Sequence, residues 1–476
     1  MKEPQSFSTL LCEVAASLSN LEKQRLSAFL ESQYFNSVKA LPALFQFTLA
    51  HLNGENDGTV KSAMQALRLK SGNEKKFRNA VSALLSAIQE FLYFENVRQE
   101  KPFYQEYCFY QYRDRNLAVP LNDITRQLAH NFNQTDQYSP AHELARAQAL
   151  ELLETSADIS HKKFVKRPYA ADFSRPSSLE TYYVIQKLRQ IVNALNEQWI
   201  YNQQRDIFNE KEVLKLAANP AIKANPLVKA YTLLCDLLRH RSDKAFDDFV
   251  EFFNRSNKKF TREMNVELHT FATNICIAKI NSGDASYQLK LFDLYADALR
   301  QGVLLDRNRL DPRHFKNIVA VALRNGKTDW TDYFIHNYKK YLPAAERENA
   351  VNYNTAQFLF FKQDYSKALK HLQTVTLSDT FYGLDARALM LKCFYETDEK
   401  EAFLNAYYSF RQYVNRKKNV SSQHRRNYSN FLRFAKLLIN LRSSDKARCA
   451  RISSNLKATA HMADKRWLLE KMAAFE

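Results

Sequence analysis

Glycine is the scarcest informative residue in this chain. The 476 residues contain seven, at positions 54, 58, 72, 283, 302, 326 and 383, and all seven read as lying between periodic segments. Tight hairpins draw on Gly at positive φ, and loops that cradle phosphates need several close together. A hairpin-rich β fold is therefore not expected, and no GxGxxG or GxxxxGK nucleotide loop is spelled out. The six cysteines, at 12, 108, 235, 276, 393 and 449, form no CxxC pair. Neither a disulfide framework nor a zinc site on paired thiols is indicated, which favours a reducing cytoplasm. Long hydrophobic runs are also missing. No stretch approaches the roughly 18 uninterrupted apolar residues of a membrane span. The opening MKEPQSFSTLLCEVAASLS contains a Leu-Leu-Cys, but its apolar run is short and Glu3 and Glu13 flank it, so a lipoprotein leader is not expected.

Helical periodicity is what the chain does have. Apolar residues make up 45%, with 33 Phe and 25 Tyr, which excludes disorder as a description of the whole chain. In residues 1–100, Leu21, Leu26, Phe29 and Leu30 recur at helical spacing behind a Ser19 or Asn20 cap. Phe77, Val81, Leu84, Leu85, Ile88, Phe91 and Leu92 form a longer stripe. These segments predict an N-terminal helical bundle of four or five helices. Residues 101–204 predict a long-helix region, interrupted near 158–177 by a polar, basic segment with two prolines and resuming behind Ser178. From 205 to 476 helices alternate with short turns such as NSGD (281–284), RNGK (324–327), KQDY (362–365) and ETDE (396–399). Helices separated by so few residues pack as antiparallel neighbours, and stacked pairs make an α-solenoid. The predicted class is all-α.

The array carries a weak internal echo at 34 residues. Asp364 is matched by Asp398, Ala368 by Ala402, Leu369 by Phe403, and Phe360-Phe361 by Phe394-Tyr395. Asp at each helix start would accept backbone N–H bonds, and Ala at each crossing would let helices approach. The run DYSKAL (364–369) resembles the tetratricopeptide repeat, whose second helix commonly begins Asp-Tyr-x-x-Ala-Leu. The resemblance extends over 350–377 and in part over 384–410, and it implies stacked helix pairs. FLESQYFNSVKALPALF near the start, NICIAKINSGD (274–284) and KRWLLEK (465–471) resemble a family of uncharacterised bacterial all-helical proteins. Gln33 stands where that family's motif has Pro. This second resemblance implies fold and a bacterial cytoplasm, and no activity.

No catalytic motif is spelled out. HELAR (142–146) puts Arg146 where the zinc protease motif HExxH needs its second histidine. There is no GxSxG elbow, and the eleven histidines are dispersed. The expectation is a non-enzymatic protein with no cofactor, no metal and no small-molecule substrate.

Charge is unevenly distributed. The net charge is +18, yet residues 402–466 alone hold fifteen Lys and Arg against two acids, Asp445 and Asp464. If 421–442 is one helix, Tyr428, Phe431, Leu432, Ala435, Leu438 and Ile439 share one arc. Arg425, Arg426, Arg433 and Lys436 share the adjoining one, with Arg416, Lys417 and Lys418 in or near the preceding turn. These seven cations form a candidate binding ridge. Three readings fit it: a solvated face, a surface for an acidic protein segment, or a site for RNA or single-stranded DNA. The leading functional expectation is a cytoplasmic helical-repeat scaffold that binds another protein, with nucleic-acid binding through the ridge as the alternative.

Overall fold

The computed structural model describes residues 9–70, 72–99, 101–133, 137–159, 176–201, 205–306, 308–376, 380–416, 421–441 and 445–475. Among these residues it is all-α, with 24 α-helices and one two-residue hairpin, in which Leu305–Asp306 pairs with Arg309–Leu310. Contacts divide the chain into two units, residues 1–136 with 140–183, and residues 137–139 with 184–476. No helix among the described residues is long and apolar enough to cross a membrane.

The first unit begins with α1 (Thr9–Ser17), α2 (Asn20–Glu31), α3 (Leu41–Leu52), α4 (Val60–Ala66) and α5 (Glu74–Gln99). Their shared core holds Leu11, Leu26, Leu44, Phe45 and Leu84, all fully buried. Ser19 caps α2 in a reciprocal box with Glu22, as the S-x-x-E spacing allows. Leu26 and Leu30 face inward, but Leu21 is 56% exposed. It lies five residues before Leu26, about 140° around the helix, so the stripe expected from sequence starts later. Next come α6 (Lys101–Asp114), α7 (Ala118–Asn133) and α8 (Pro140–Ile159), around a smaller core of Phe109, Leu121, Ile124, Ala149 and Leu152. Most of the irregular segment expected at 158–177 lies outside the described residues. Then α9 (Ser178–Tyr201) starts, and its cap is Ser177 rather than Ser178: Ser177 Oγ accepts the Glu180 N–H at 3.2 Å and the Glu180 carboxylate accepts the Ser177 N–H at 2.6 Å. The division between units falls inside α9, between Tyr183 and Val184.

The second unit is a solenoid-like succession of helix pairs. After α10 (Glu210–Ala217) and α11 (Pro220–Lys223), the pairs are α12 (Pro226–His240) with α13 (Asp243–Ser256), α14 (Arg262–Asn281) with α15 (Tyr287–Arg300), α16 (Pro312–Arg324) with α17 (Thr328–Tyr338), α18 (Ala344–Phe361) with α19 (Tyr365–Thr374), and α20 (Thr380–Glu396) with α21 (Lys400–Arg416). The two helices of each pair pack together, and the first helices α16, α18 and α20 also pack in succession. The chain ends with α22 (Ser422–Ile439), α23 (Lys446–Ala458) and α24 (Lys465–Ala473).

Each of the five pairs is closed by one left-handed residue: Arg241, Gly283, Gly326, Gln363 and Asp398, with φ between 52° and 103°. In the last four, two N–H groups bond back to the last turn of the first helix, as Lys327 does to Ala322 and Gly326 to Leu323. Three of the five positions are not glycine, which is how so few glycines suffice. Gly383 is a correction to the sequence reading, since it lies inside α20 and is buried rather than between segments.

The echo also shifts. Gln363 and Asp398 hold equivalent left-handed positions, 35 residues apart, and so do the turn hydrogen bonds of Asp364 and Glu399. Asp364 caps α19, its carboxylate accepting the Lys367 N–H, but Asp398 is the turn residue itself. In this register Ala368 corresponds to Phe403, and both are fully buried, whereas Ala402 is only half-buried. Letter matching at 34 paired similar side chains but missed the one-residue insertion before Asp398. Replacing Ala368 with Phe should cost on the order of 1–3 kcal/mol by overpacking, and Phe403→Ala should cost about 3–5 kcal/mol. Ala402→Phe should cost clearly less than Ala368→Phe. Denaturant unfolding checks all three, and equal costs at 368 and 402 would overturn the 35-residue register.

One buried histidine makes this unit acid-sensitive. His269 of α14 is 4% exposed and donates Nε2–H to the Leu294 carbonyl at 3.2 Å. Burial pushes its imidazole pKa down to about 4. An unfolded chain takes up that proton near pH 6.5, and the folded chain does so only near 4. The folded state is therefore favoured fully above pH 6.5 and loses roughly 3 kcal/mol as pH falls through this window. His269→Gln should flatten the wild-type loss between pH 6.5 and 4.5, measured as unfolding free energy against pH.

Candidate anion-binding face

The helix α21 buries Phe403, Tyr407, Phe410 and Val414 on one side. The helix α22 buries Tyr428, Phe431, Leu432, Phe434, Ala435 and Leu438, its cap being Ser421, whose hydroxyl accepts the His424 N–H. These faces meet in a second core that also takes in Cys449, Ile452 and Trp467 from the last two helices. Ile439, placed on the buried arc from sequence, is half-buried, and Phe434 is the buried residue that the arc omitted. With apolar faces turned together, the polar residues of α21, α22 and α23 face outward.

The seven ridge residues go to different places. Arg433 and Lys436 line a groove of about 620 Å³ between α21 and α22, together with Arg411, Asn415, Ser429, Asn440 and Arg448. Arg416 lies on the other side of α21, in a pocket of about 410 Å³ with Arg387, Ser409, Gln412 and Tyr413. Arg426 is exposed and lines neither. Arg425 has a structural job: its guanidinium donates to the Val414 and Asn415 carbonyls at 2.9 and 3.0 Å, satisfying the open end of α21. Lys417 and Lys418 lie outside the described residues.

Three further arginines belong with the site. Arg411 and Arg448 complete the groove. Both lie in the basic stretch but on elements flanking the helix whose arc was drawn. Arg387 comes from α20, outside that stretch, and nothing in the local sequence marks it. Its guanidinium lies 4.4 Å from the Tyr413 ring centroid and donates to Ser409 Oγ at 3.5 Å. Its Nε is buried without a hydrogen-bond partner, and desolvation lowers its pKa from the ordinary guanidinium value.

What marks this face is four cations on one groove whose lining holds no acid. Several cations elsewhere in the unit meet carboxylates: Arg189 with Glu267 at 2.6 Å, Lys290 with Asp247 at 2.5 Å, Lys316 with Asp385 at 2.5 Å and Lys471 with Glu396 at 2.6 Å. The two acids of residues 402–466 are engaged, Asp445 as the cap of α23 and Asp464 with Lys392 at 3.0 Å. Among the described residues, no carboxylate pairs with Arg411, Arg433, Lys436 or Arg448. Arg433 lies over the Phe434 ring and reaches Thr459 Oγ1 at 3.4 Å, and the Lys436 ammonium sits 5.2 Å from both the Tyr407 and Tyr408 centroids. Such contacts hold the heads in place and leave their charge uncompensated. The groove therefore carries four positive charges and no acid in its lining.

The HELAR segment falls on α8 of the first unit, where Glu143 is buried and burial lowers the pKa of His142. Comparison with protein-family models, with curated proteins and with solved structures finds no match.

Arg425 and Arg426 are adjacent and should separate by role. Arg425→Ala leaves two carbonyls at the end of α21 without their charged donor and should cost roughly 1–2 kcal/mol. Arg426→Ala should stay within about 0.5 kcal/mol. Urea unfolding of the two variants tests this, and an Arg425 variant as stable as wild type would remove the capping role.

Proposed function

We propose that this chain is a non-catalytic binding protein of the bacterial cytoplasm, built on degenerate tetratricopeptide-like helix pairs, whose carboxy-terminal helices hold a negatively charged macromolecule. The observation that carries this reading is the convergence of Arg411, Arg433, Lys436 and Arg448 on one groove with no carboxylate among them. Four like charges held close together oppose one another, and a bound polyanion relieves that opposition. Helix-pair arrays present extended rigid surfaces to macromolecular partners. The buried free thiols of Cys235, Cys276, Cys393 and Cys449 suit a reducing compartment.

At this face an acidic protein segment, as an adaptor would bind, and a nucleic acid are both polyanions. Reversing Arg411, Arg433 and Arg448 to Glu should leave the helical spectrum and the unfolding midpoint nearly unchanged, since exposed charges contribute little to stability. Recovery of the wild-type partner from a bacterial lysate, with and without nuclease, should nevertheless collapse. If the triple variant retains every partner that the wild type recovers, the face is merely solvated.

A further inference from the structure

The outward surface of α21 narrows the chemistry of the anion. Tyr408, Arg411, Gln412, Asn415 and Arg416 follow at i, i+3, i+4, i+7 and i+8, which puts them on one helical face, and all five are exposed. The four-cation groove opens on one flank of this face, through Arg411 and Asn415. The arginine pocket opens on the other, through Gln412 and Arg416, with Arg387 behind them. Tyr408 lies between the two flanks. The residue is 53% exposed, its ring packed edge-on against Tyr407 at 5.3 Å with the Lys436 ammonium 5.2 Å from its centroid.

Tyr408 is also isolated. Among the described residues after Phe361, no other large apolar side chain is exposed. An acidic amphipathic peptide docks through several apolar anchors, one per helical turn, and a single ring offers it no stripe to lie on. A nucleobase asks for less: one accessible ring to stack on, with cations for the phosphates before and after it. The amides of Gln412, Asn415 and Asn440 and the hydroxyls of Ser409 and Ser429, which line the two openings, can hydrogen-bond to sugar and base edges. A duplex keeps its bases stacked inside and has none to offer Tyr408.

We propose that a single-stranded nucleic acid crosses α21, with one base stacked on Tyr408, its phosphates held on one flank by Arg411, Arg433, Lys436 and Arg448 and on the other by Arg387 and Arg416. This rests on the reading of the face as an anion site and names the anion.

Fluorescence titration of the full chain tests it with four probes: oligo-dT and oligo-rU of about a dozen nucleotides, a blunt duplex of similar length, and poly-glutamate. Both single strands should bind more tightly than the duplex or poly-glutamate. Their log Kd should change with log salt at about 0.7 per neutralised phosphate, a slope of roughly 2–4 for three to six phosphates. Tyr408→Leu should weaken single-strand binding roughly 5- to 150-fold, the range measured for loss of one stacked base, and Tyr408→Trp should preserve it. Poly-glutamate binding should not respond to either change, and circular dichroism should be unchanged in both. If Tyr408→Leu binds single strands as wild type does, or if poly-glutamate binds at least as tightly as the oligonucleotides, the nucleic-acid assignment is overturned and the anion-binding reading stands. If none of the four probes binds, both fall together.

Discussion

A helix pair has two apolar sides and can cover neither by itself. That constraint organises the second unit: each pair closes through a left-handed turn and is finished only when the next pair covers it. The need is most acute at α20, where one core ends and the next begins. Tyr382 and Ala386 of this helix belong to the long core, and Leu384 and Ala388 to the carboxy-terminal one. Asp385 lies between them. Its carboxylate accepts Lys316 Nζ from α16 at 2.5 Å and the Tyr428 hydroxyl from α22. A part-buried carboxylate with a cation on one side and a hydroxyl on the other is satisfied only when three helices are in register. That contact holds α22 beside α20 and α21, and the groove lies between α21 and α22.

The same packing explains why cations accumulate on one face without partners. Along the array, acids serve as links between successive helices: Glu267 takes Arg189 from α9 and the Tyr231 hydroxyl from α12, and Asp243 takes the Tyr287 hydroxyl and Lys279. Within residues 402–466 the two acids are consumed by internal duties, Asp445 as a cap and Asp464 as a partner for Lys392. Neither of these acids forms an ion pair with the outward-facing Arg411, Arg433 or Arg448. A face of this kind is held open by the fold rather than by its own contacts, since its like-charged side chains repel one another and, of the groove's four cations, only Arg433 and Lys436 rest over aromatic rings.

Several features were legible in the sequence because they are local. The Ser19 cap of α2, the inward stripe of α5 and most of the inward face of α22 follow from spacing alone, since a helix projects residues three and four apart to one side. Errors appeared where spacing alone was followed across a turn. The 34-residue echo aligned Ala368 with Ala402, but one extra residue before Asp398 turns Phe403 inward instead. Gly383 has the chemistry of a turn residue, yet it is buried in a helix. Leu21 had the right chemistry for the core and the wrong angle.

By itself, the sequence determined that this protein is helical, that its second half is built from closely spaced helices, and that its positive charge gathers after residue 402. Those properties reside in residue type and period, which neighbours in the chain settle between themselves. Only the tertiary structure decided which cations act together. Arg425 left the ridge because the end of α21 lies within its reach, and Arg416 turned to the opposite flank. Arg411 and Arg448 joined Arg433 and Lys436, and Arg387 entered from a helix outside the basic stretch. Long cationic side chains are uncommitted along the chain; what they face is set by the helices packed beside them.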